Sequence, residues 1–542
     1  MIPVVLLATA LLVRVGASAL FPGPAYPDSY YYVHVAQQVA AGHGLTSTYL
    51  WNLDDISGRL AATPDLPVPA NGYWMPLAEL VQLPTTWLFG PTQIAATLPF
   101  LIIGACAAPL IYWIARDAGL GTQQAAAAGF LVAAPAGLTP FVAQPDTFAL
   151  MMTLGALALW LCARGARGDQ RAFVIGGVVV GLATLARADA ALLGLPYFVV
   201  WARGLLPGRP PIVGWPAAMG CAALFALTMA PWLYRQFEVY GSPLPSAGSG
   251  RLLWLVDYQG LFSIANPPTP GNWLAQGIGG WLSSRAGGLI AALGLFSLTA
   301  LGAVLAPFGL IGAWLRRHDA AFFPFLIFAV ALLLVTVLLF PVLVLHGTFM
   351  HAAAALVPHA LLLVVVGVAG AVAWVARRTP RWDSARATRN FTWAAVGVAS
   401  VVAGAQTWSV TRDWWTARST QQELVAALND VPATDRFMAV DPGAINYLTG
   451  RAGVLTPADD LATIEATMRA YDVRWLVLES GSIVPALAPV LEGSLQPSWL
   501  SAPVALVPTV RAPGASTTPA ASVPAGAVYA VCLTAEDTRC SR

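Results

Sequence analysis

The chain has 542 residues, 57% hydrophobic and only 10% charged, with a formal net charge of +2 and a mean hydropathy of +0.67. Soluble domains carry about 25% charged residues, so this chain cannot cover its surface with polar groups and reads as a polytopic membrane protein. All 28 basic residues are Arg, they form no basic patch, and a nucleic-acid partner is excluded.

Apolar runs predict about eleven spans, near 2–21, 92–115, 123–139, 146–163, 173–187, 189–204, 212–234, 286–315, 320–345, 352–376 and 391–411. The first reads as a retained span rather than a signal peptide, because no basic stretch precedes it and Arg14 interrupts it. Pro76 to Phe89 reads as a segment lying along the interface. Arginines fall in alternate loops: Arg116; Arg164, Arg167 and Arg171; Arg203 and Arg209; Arg316 and Arg317; then Arg377 through Arg389. By the positive-inside pattern these loops and the N-terminus are cytoplasmic. Asp28, Asp146, Arg187, Asp189, Arg235 and the tail after Arg412 then lie outside, in a plasma membrane.

The fold class expected is a mainly α, polytopic helical bundle, residues 1–411, with a small α/β domain at 412–542. Two long outer loops, 22–75 and 235–285, interrupt the bundle; loops of that length are functional or disordered. The second interleaves Trp, Tyr and Leu, which argues for interfacial packing. In the tail, TQQELVAALNDV and DDLATIEATMRAYDV read as helices. RFMAVD, RWLVLES, VALVPTV and AVYAVCLT read as strands, and residues 512–526 as a flexible loop. Cys106, Cys162 and Cys221 read as small core residues. Cys532 and Cys540 are a candidate disulfide in an outer tail.

Two acids open helix-like runs just after prolines. Asp28 stands in AYPDSYYYVHVAQQ, where it suits an N-cap, and Asp146 stands in VAQPDTFALMM. The bland reading of each is an interfacial, solvated carboxylate; acids at a membrane boundary that open into a cavity are functional candidates. Tyr30 and Tyr31 either stack on a substrate or join Tyr32 in an interfacial belt. Arg187 and Arg235 either anchor their spans or clamp a phosphate, whose geometry guanidinium matches bidentately; Asp189 is a ready partner for Arg187. Trp254, Asp257 and Tyr258 are candidate substrate-binding residues of the second loop. His346 and His351 flank an outer turn and are candidate substrate-binding residues; two His five apart do not define a metal site without carboxylate partners.

These pieces, in this order, resemble the GT-C glycosyltransferases, nearest the protein O-mannosyltransferase and lipid A aminoarabinose transferase branch. The resemblance rests on an Asp after the first span, a long first outer loop and the re-entry at Trp74, Met75, Pro76 and Leu77. GLATLARADAALLGLP (181–196) and APWLYRQFEVYGSPLPSAG (230–248) add to it. Ser29 follows Asp28 where mannosyltransferases of this class often carry an Asp-Glu pair, so sugar and acceptor stay open.

The resemblance implies transfer of a sugar from a polyprenyl-phosphate donor to an outer glycan, lipid or protein acceptor. The leaving phosphate is a stable anion, so it needs cations, Arg187 and Arg235, more than a strong acid. The acceptor hydroxyl needs a base, and Asp28 is the candidate. One carboxylate without a nucleophilic partner implies single displacement with inversion. Asp146 orients the acceptor or binds a divalent metal; no cofactor is otherwise required. The rival reading is a transporter or a non-catalytic polysaccharide- or lipid-handling protein, and a transporter should show internal repeats, which are not apparent.

Overall fold

The computed structural model describes every residue except 59, 61–63, 208–210, 247–249, 380–381, 509–522, 534–536 and 538–542. Contacts divide the chain into two compact units. The first comprises Met1–Pro24, Trp74–Arg235 and Ile278–Arg412; the second comprises Ala25–Tyr73, Gln236–Gly277 and Asp413–Arg542. Most of both long loops, residues 25–73 and 236–277, therefore groups with the tail.

The first unit is helical. Among the described residues, seven helices are long and apolar enough to cross a membrane: Ile2–Leu20, Gln93–Asp117, Thr147–Gly165, Trp215–Tyr240, Gly277–Ala300, Thr348–Ala376 and Ser384–Ala426. An eighth candidate is the pair Thr122–Ala133 and Ala136–Ala143, bent by 48°. Gln170–Ala186, Ala306–Leu315 and Phe323–Leu339 are apolar but shorter, below the about 20 residues of a straight crossing.

The bend has a local cause. Pro135 removes a backbone donor, and the helix before it ends with bare carbonyls. Arg14, fully buried, donates to the Ala133 carbonyl at 3.1 Å and the Val132 carbonyl at 3.5 Å. The arginine that interrupts the first span thus caps a neighbouring helix, as a charge at membrane depth must find a partner. Elsewhere, glycine permits close packing. A Cβ on Gly312 would collide with the Leu363 carbonyl, and one on Gly367 with that of Phe308. The helices Ala306–Leu315 and Val357–Ala376 are locked through small residues.

The second unit is built on a six-stranded mixed sheet of order β2-β5-β4-β6-β8-β7. Here β1 is Thr46–Ser47, β2 Tyr49–Leu50, β3 Val68–Pro69, β4 Arg436–Ala439, β5 Gly453–Leu455, β6 Val473–Glu479, β7 Leu500–Val507 and β8 Gly526–Val531. Strands β2, β5, β4 and β6 run parallel; β8 and β7 complete the sheet antiparallel. β1 and β3 pair separately. Helix Pro442–Thr449 links β4 to β5, and Leu461–Ala470 links β5 to β6, the crossovers that parallel strands need.

The helix Pro27–Ala40 also belongs to this unit. Tyr30, Tyr31 and Tyr32 are 3%, 0% and 0% exposed. Three consecutive side chains sweep about 200° of a helix, so most of its girth is enclosed by protein. The expected interfacial belt of tyrosines is instead core: Tyr31 Oη accepts from Asn71 N–H at 2.7 Å, and Arg418 donates to Tyr30 Oη at 2.9 Å. Cys162 and Cys221 are buried free thiols and Cys106 is an exposed one. Cys540 and the loop expected at 512–526, up to residue 522, lie outside the described residues.

Candidate functional site

Asp146 is the N-cap of helix Thr147–Gly165, as its place after Pro145 indicates; Oδ1 accepts from the Thr147 N–H and the Thr147 hydroxyl at 3.2 Å. This leaves Oδ2, which lies 2.9 Å from His351 Nε2. On its other side, His351 Nδ1 lies 2.8 Å from the Gly347 carbonyl oxygen, and the Phe148 ring stacks on the imidazole at 3.9 Å. Asp146 is fully buried and His351 nearly so.

The chemistry follows from counting donors. A carbonyl can only accept, so Nδ1 carries a proton toward Gly347. In a neutral ring Nε2 is then a lone pair facing a carboxylate, and two lone pairs at that distance repel. A proton between them, or a cation bridging them, removes the repulsion. The dyad can therefore hold and release a proton. It also presents a carboxylate oxygen and an imidazole nitrogen, a donor set suited to a divalent ion, with the outer nitrogen oriented by a backbone carbonyl.

The cations of the first unit are placed differently. Arg187 ends helix Gln170–Ala186 and grips Asp189 with two nitrogens, Nε at 3.2 Å and Nη2 at 2.8 Å. Arg235 lies over the Trp232 ring at 5.3 Å. His346 is exposed, unlike His351. Glu79, which was not singled out from the sequence, is fully buried on the short helix Leu77–Leu80.

In the second unit, Asp28 occupies the first turn of its helix, and the cap is Tyr26. The expected N-cap role is taken by local bonds of Ser29, whose hydroxyl accepts from Ala25 N–H at 2.9 Å and Tyr26 N–H at 3.1 Å. Asp28 is half-buried beside the positive end of the helix dipole. Its charge is felt by Asp441 and Tyr258. Asp441, the N-cap of helix Pro442–Thr449, is a further acid near Asp28, and its Asp-Pro-Gly is the helix-start signal that points to it in the sequence. Burial pushes its carboxyl up to about 6, against hydrogen bonds from Ala444 and Gly443 and with the charge of Asp28 adding. Burial likewise raises Asp55 to about 7 despite the Gly72 hydrogen bond, and raises Glu479 to about 7 with Asp441 adding. Trp254 meets Trp273 edge to face at 5.8 Å, Asp257 Oδ1 accepts from Gly260 N–H at 2.9 Å, and Tyr258 meets Phe262 at 5.3 Å. Burial pushes the Tyr258 hydroxyl well up.

Seven helices among the described residues, long and apolar enough to cross a membrane, give the chain the make-up of a polytopic membrane protein, and its fold is shared with solved membrane glycosyltransferases. Residues 73–234 match the family model described as dolichyl-phosphate-mannose-protein mannosyltransferase. The oligosaccharyltransferase of Archaeoglobus fulgidus, solved with a tethered acceptor peptide, is similar at TM-score 0.55 and 14% identity, over 88% of this chain and 69% of that one. The same enzyme complexed with Zn and sulfate gives 0.55 and 15%, over 88% and 68%. ArnT of Cupriavidus metallidurans, bound to undecaprenyl phosphate, gives 0.54 and 14%, over 98% of each chain. No curated protein matches by sequence.

Proposed function

We propose that the chain is an integral-membrane glycosyltransferase that moves a sugar from a polyprenyl-phosphate donor to an acceptor outside the cytoplasm. The observation that carries this reading is the buried Asp146–His351 dyad at the head of helix Thr147–Gly165, in a chain with this fold. Support for the donor class comes from ArnT, which binds undecaprenyl phosphate, and from the matched mannosyltransferase segment. The membrane crossings number about eleven in this reading, with the N-terminus cytoplasmic and residues 412–542 an outer α/β cap that handles the acceptor.

Asp28 takes the proton of the acceptor hydroxyl as that oxygen attacks the anomeric carbon. The bond to the donor phosphate breaks in the same step, with inversion. Arg187 and Arg235 receive the phosphate anion, Arg187 exchanging Asp189 for a phosphate oxygen. Asp146 and His351 orient the acceptor and hold a proton. A divalent ion, when bound, would use Asp146 and His351 as ligands and supply positive charge toward the phosphate. Trp254, Asp257 and Tyr258 belong to the acceptor-binding surface, while Tyr30 and Tyr31 support the helix that carries Asp28.

The test is incubation of membranes carrying the protein with labelled polyprenyl-phosphate sugars. Transfer that needs both Asp28 and Asp146 supports the reading. Failure with every sugar, joined to solute uptake into vesicles, supports a transporter.

A further inference from the structure

On one part of the second loop a cation is buried while apolar side chains beside it are exposed. Arg251, on the short helix Arg251–Trp254, is 7% exposed and turned inward. It donates to the carbonyls of Gly58 at 3.3 Å and Ser263 at 2.6 Å. Its neighbours Leu253 and Val256 are 38% and 41% exposed, and Leu274, on helix Pro270–Ala275, is 68% exposed. The two short helices pack on each other through the Trp254–Trp273 contact, so these leucines and tryptophans belong to one surface. A patch that shows Leu253, Val256 and Leu274 while Leu255 and Leu261 pack inward leaves an apolar area that is not built to face water.

We propose that this surface, Leu253, Trp254, Val256, Trp273 and Leu274, docks on the headgroup layer of the lipid bilayer. Continuity with the membrane selects that occupant. The loop is joined at one end to the candidate span ending at Tyr240 and at the other to the one beginning at Gly277. Leu274 stands three residues before that second span, a reach of about 10 Å even when extended. Paired indole rings with leucine beside them are the composition of an interfacial belt, and a short helix with an apolar outer face lies in the plane of the interface. Asp257 and Tyr258, between the two helices in sequence, are then held at headgroup depth, where a lipid-linked substrate carries its polar end. The docking holds whether or not the protein transfers sugar.

The experiment uses the full chain with Cys106, Cys162 and Cys221 replaced by Ala, reconstituted in vesicles of phosphatidylcholine and phosphatidylglycerol. Single spin labels are placed at Leu253→Cys, Leu274→Cys and, as an aqueous reference, Asp65→Cys, whose side chain is 80% exposed. Collision rates with oxygen and with a water-soluble nickel chelate are measured. The expected result is oxygen exceeding nickel at positions 253 and 274, with the reverse at 65. Nickel accessibility at 253 and 274 equal to that at 65 overturns the proposal. So does shielding from both reagents, which means that protein covers the surface.

Discussion

Asp146 and His351 are 205 residues apart in sequence, yet Oδ2 and Nε2 are 2.9 Å apart and buried. The contact joins a helix N-cap to a histidine whose other ring nitrogen faces the Gly347 carbonyl. If the dyad serves the reaction as one unit, the two side chains will not act additively. His351→Gln and Asp146→Asn are each expected to lower transfer about 100-fold to 10,000-fold, the usual worth of positioned proton transfer. The double variant is expected to lose little more. Asparagine keeps the cap to Thr147, so folding is retained. Independent, multiplying losses would contradict the dyad.

Asp28 and Ser29 should separate cleanly. Ser29→Ala removes the hydroxyl that bonds Ala25 and Tyr26 and is expected to cost about 1 kcal/mol of stability with transfer largely kept. Asp28→Asn should leave thermal unfolding unchanged, keep donor binding and abolish transfer. Thermal scans in detergent beside a transfer assay read both, and equal losses of activity in the two variants would remove Asp28 from the role of base.

Much of this was legible in the sequence, for physical reasons. Long apolar runs such as 92–115 and 352–376 appear as the helices Gln93–Asp117 and Thr348–Ala376, and Asp146 after its proline is a helix N-cap, while Asp28 lies inside the first turn and Tyr26 is the cap. The strands around Arg436, Trp475 and Val528 also announce themselves by β-branched and aromatic content. β2 does not: two residues from the first loop, Tyr49 and Leu50, pair with β5, and no periodicity exists in two residues. The tyrosines after Asp28 read locally as a belt, because their enclosure depends on the tail, nearly 400 residues away, through the Arg418–Tyr30 bond. Asp441 does not stand out in the sequence, because nothing local says that the charge of Asp28 reaches it.

The buried acids of the second unit give it a pH dependence. Asp55, Asp441 and Glu479 have folded values of about 7, 6 and 7, all above their unfolded ones. The folded state therefore binds more protons between about pH 4 and pH 7, and stability falls as pH rises through that window. The unfolding temperature should be higher at pH 5 than at pH 8. Glu479→Gln should narrow the difference, and a flat profile would contradict the burial of these acids.

Arg14 should matter to folding without touching chemistry. Arg14→Leu strips the Ala133 and Val132 carbonyls of their donor, and each orphaned group costs about 1–3 kcal/mol. A lowered unfolding temperature in detergent is expected, with the donor KM of the surviving protein unchanged. Stability equal to the parent would mean that water caps the bend as well.

The most direct measurement is transfer of labelled sugar from a panel of polyprenyl phosphates by membranes carrying the parent chain or Asp28→Asn, with donor binding followed in parallel. Sugar turnover with inverted anomeric configuration in the parent, and donor bound but not consumed by the variant, is the predicted result. Equal turnover in both, or retained configuration in the product, would contradict it.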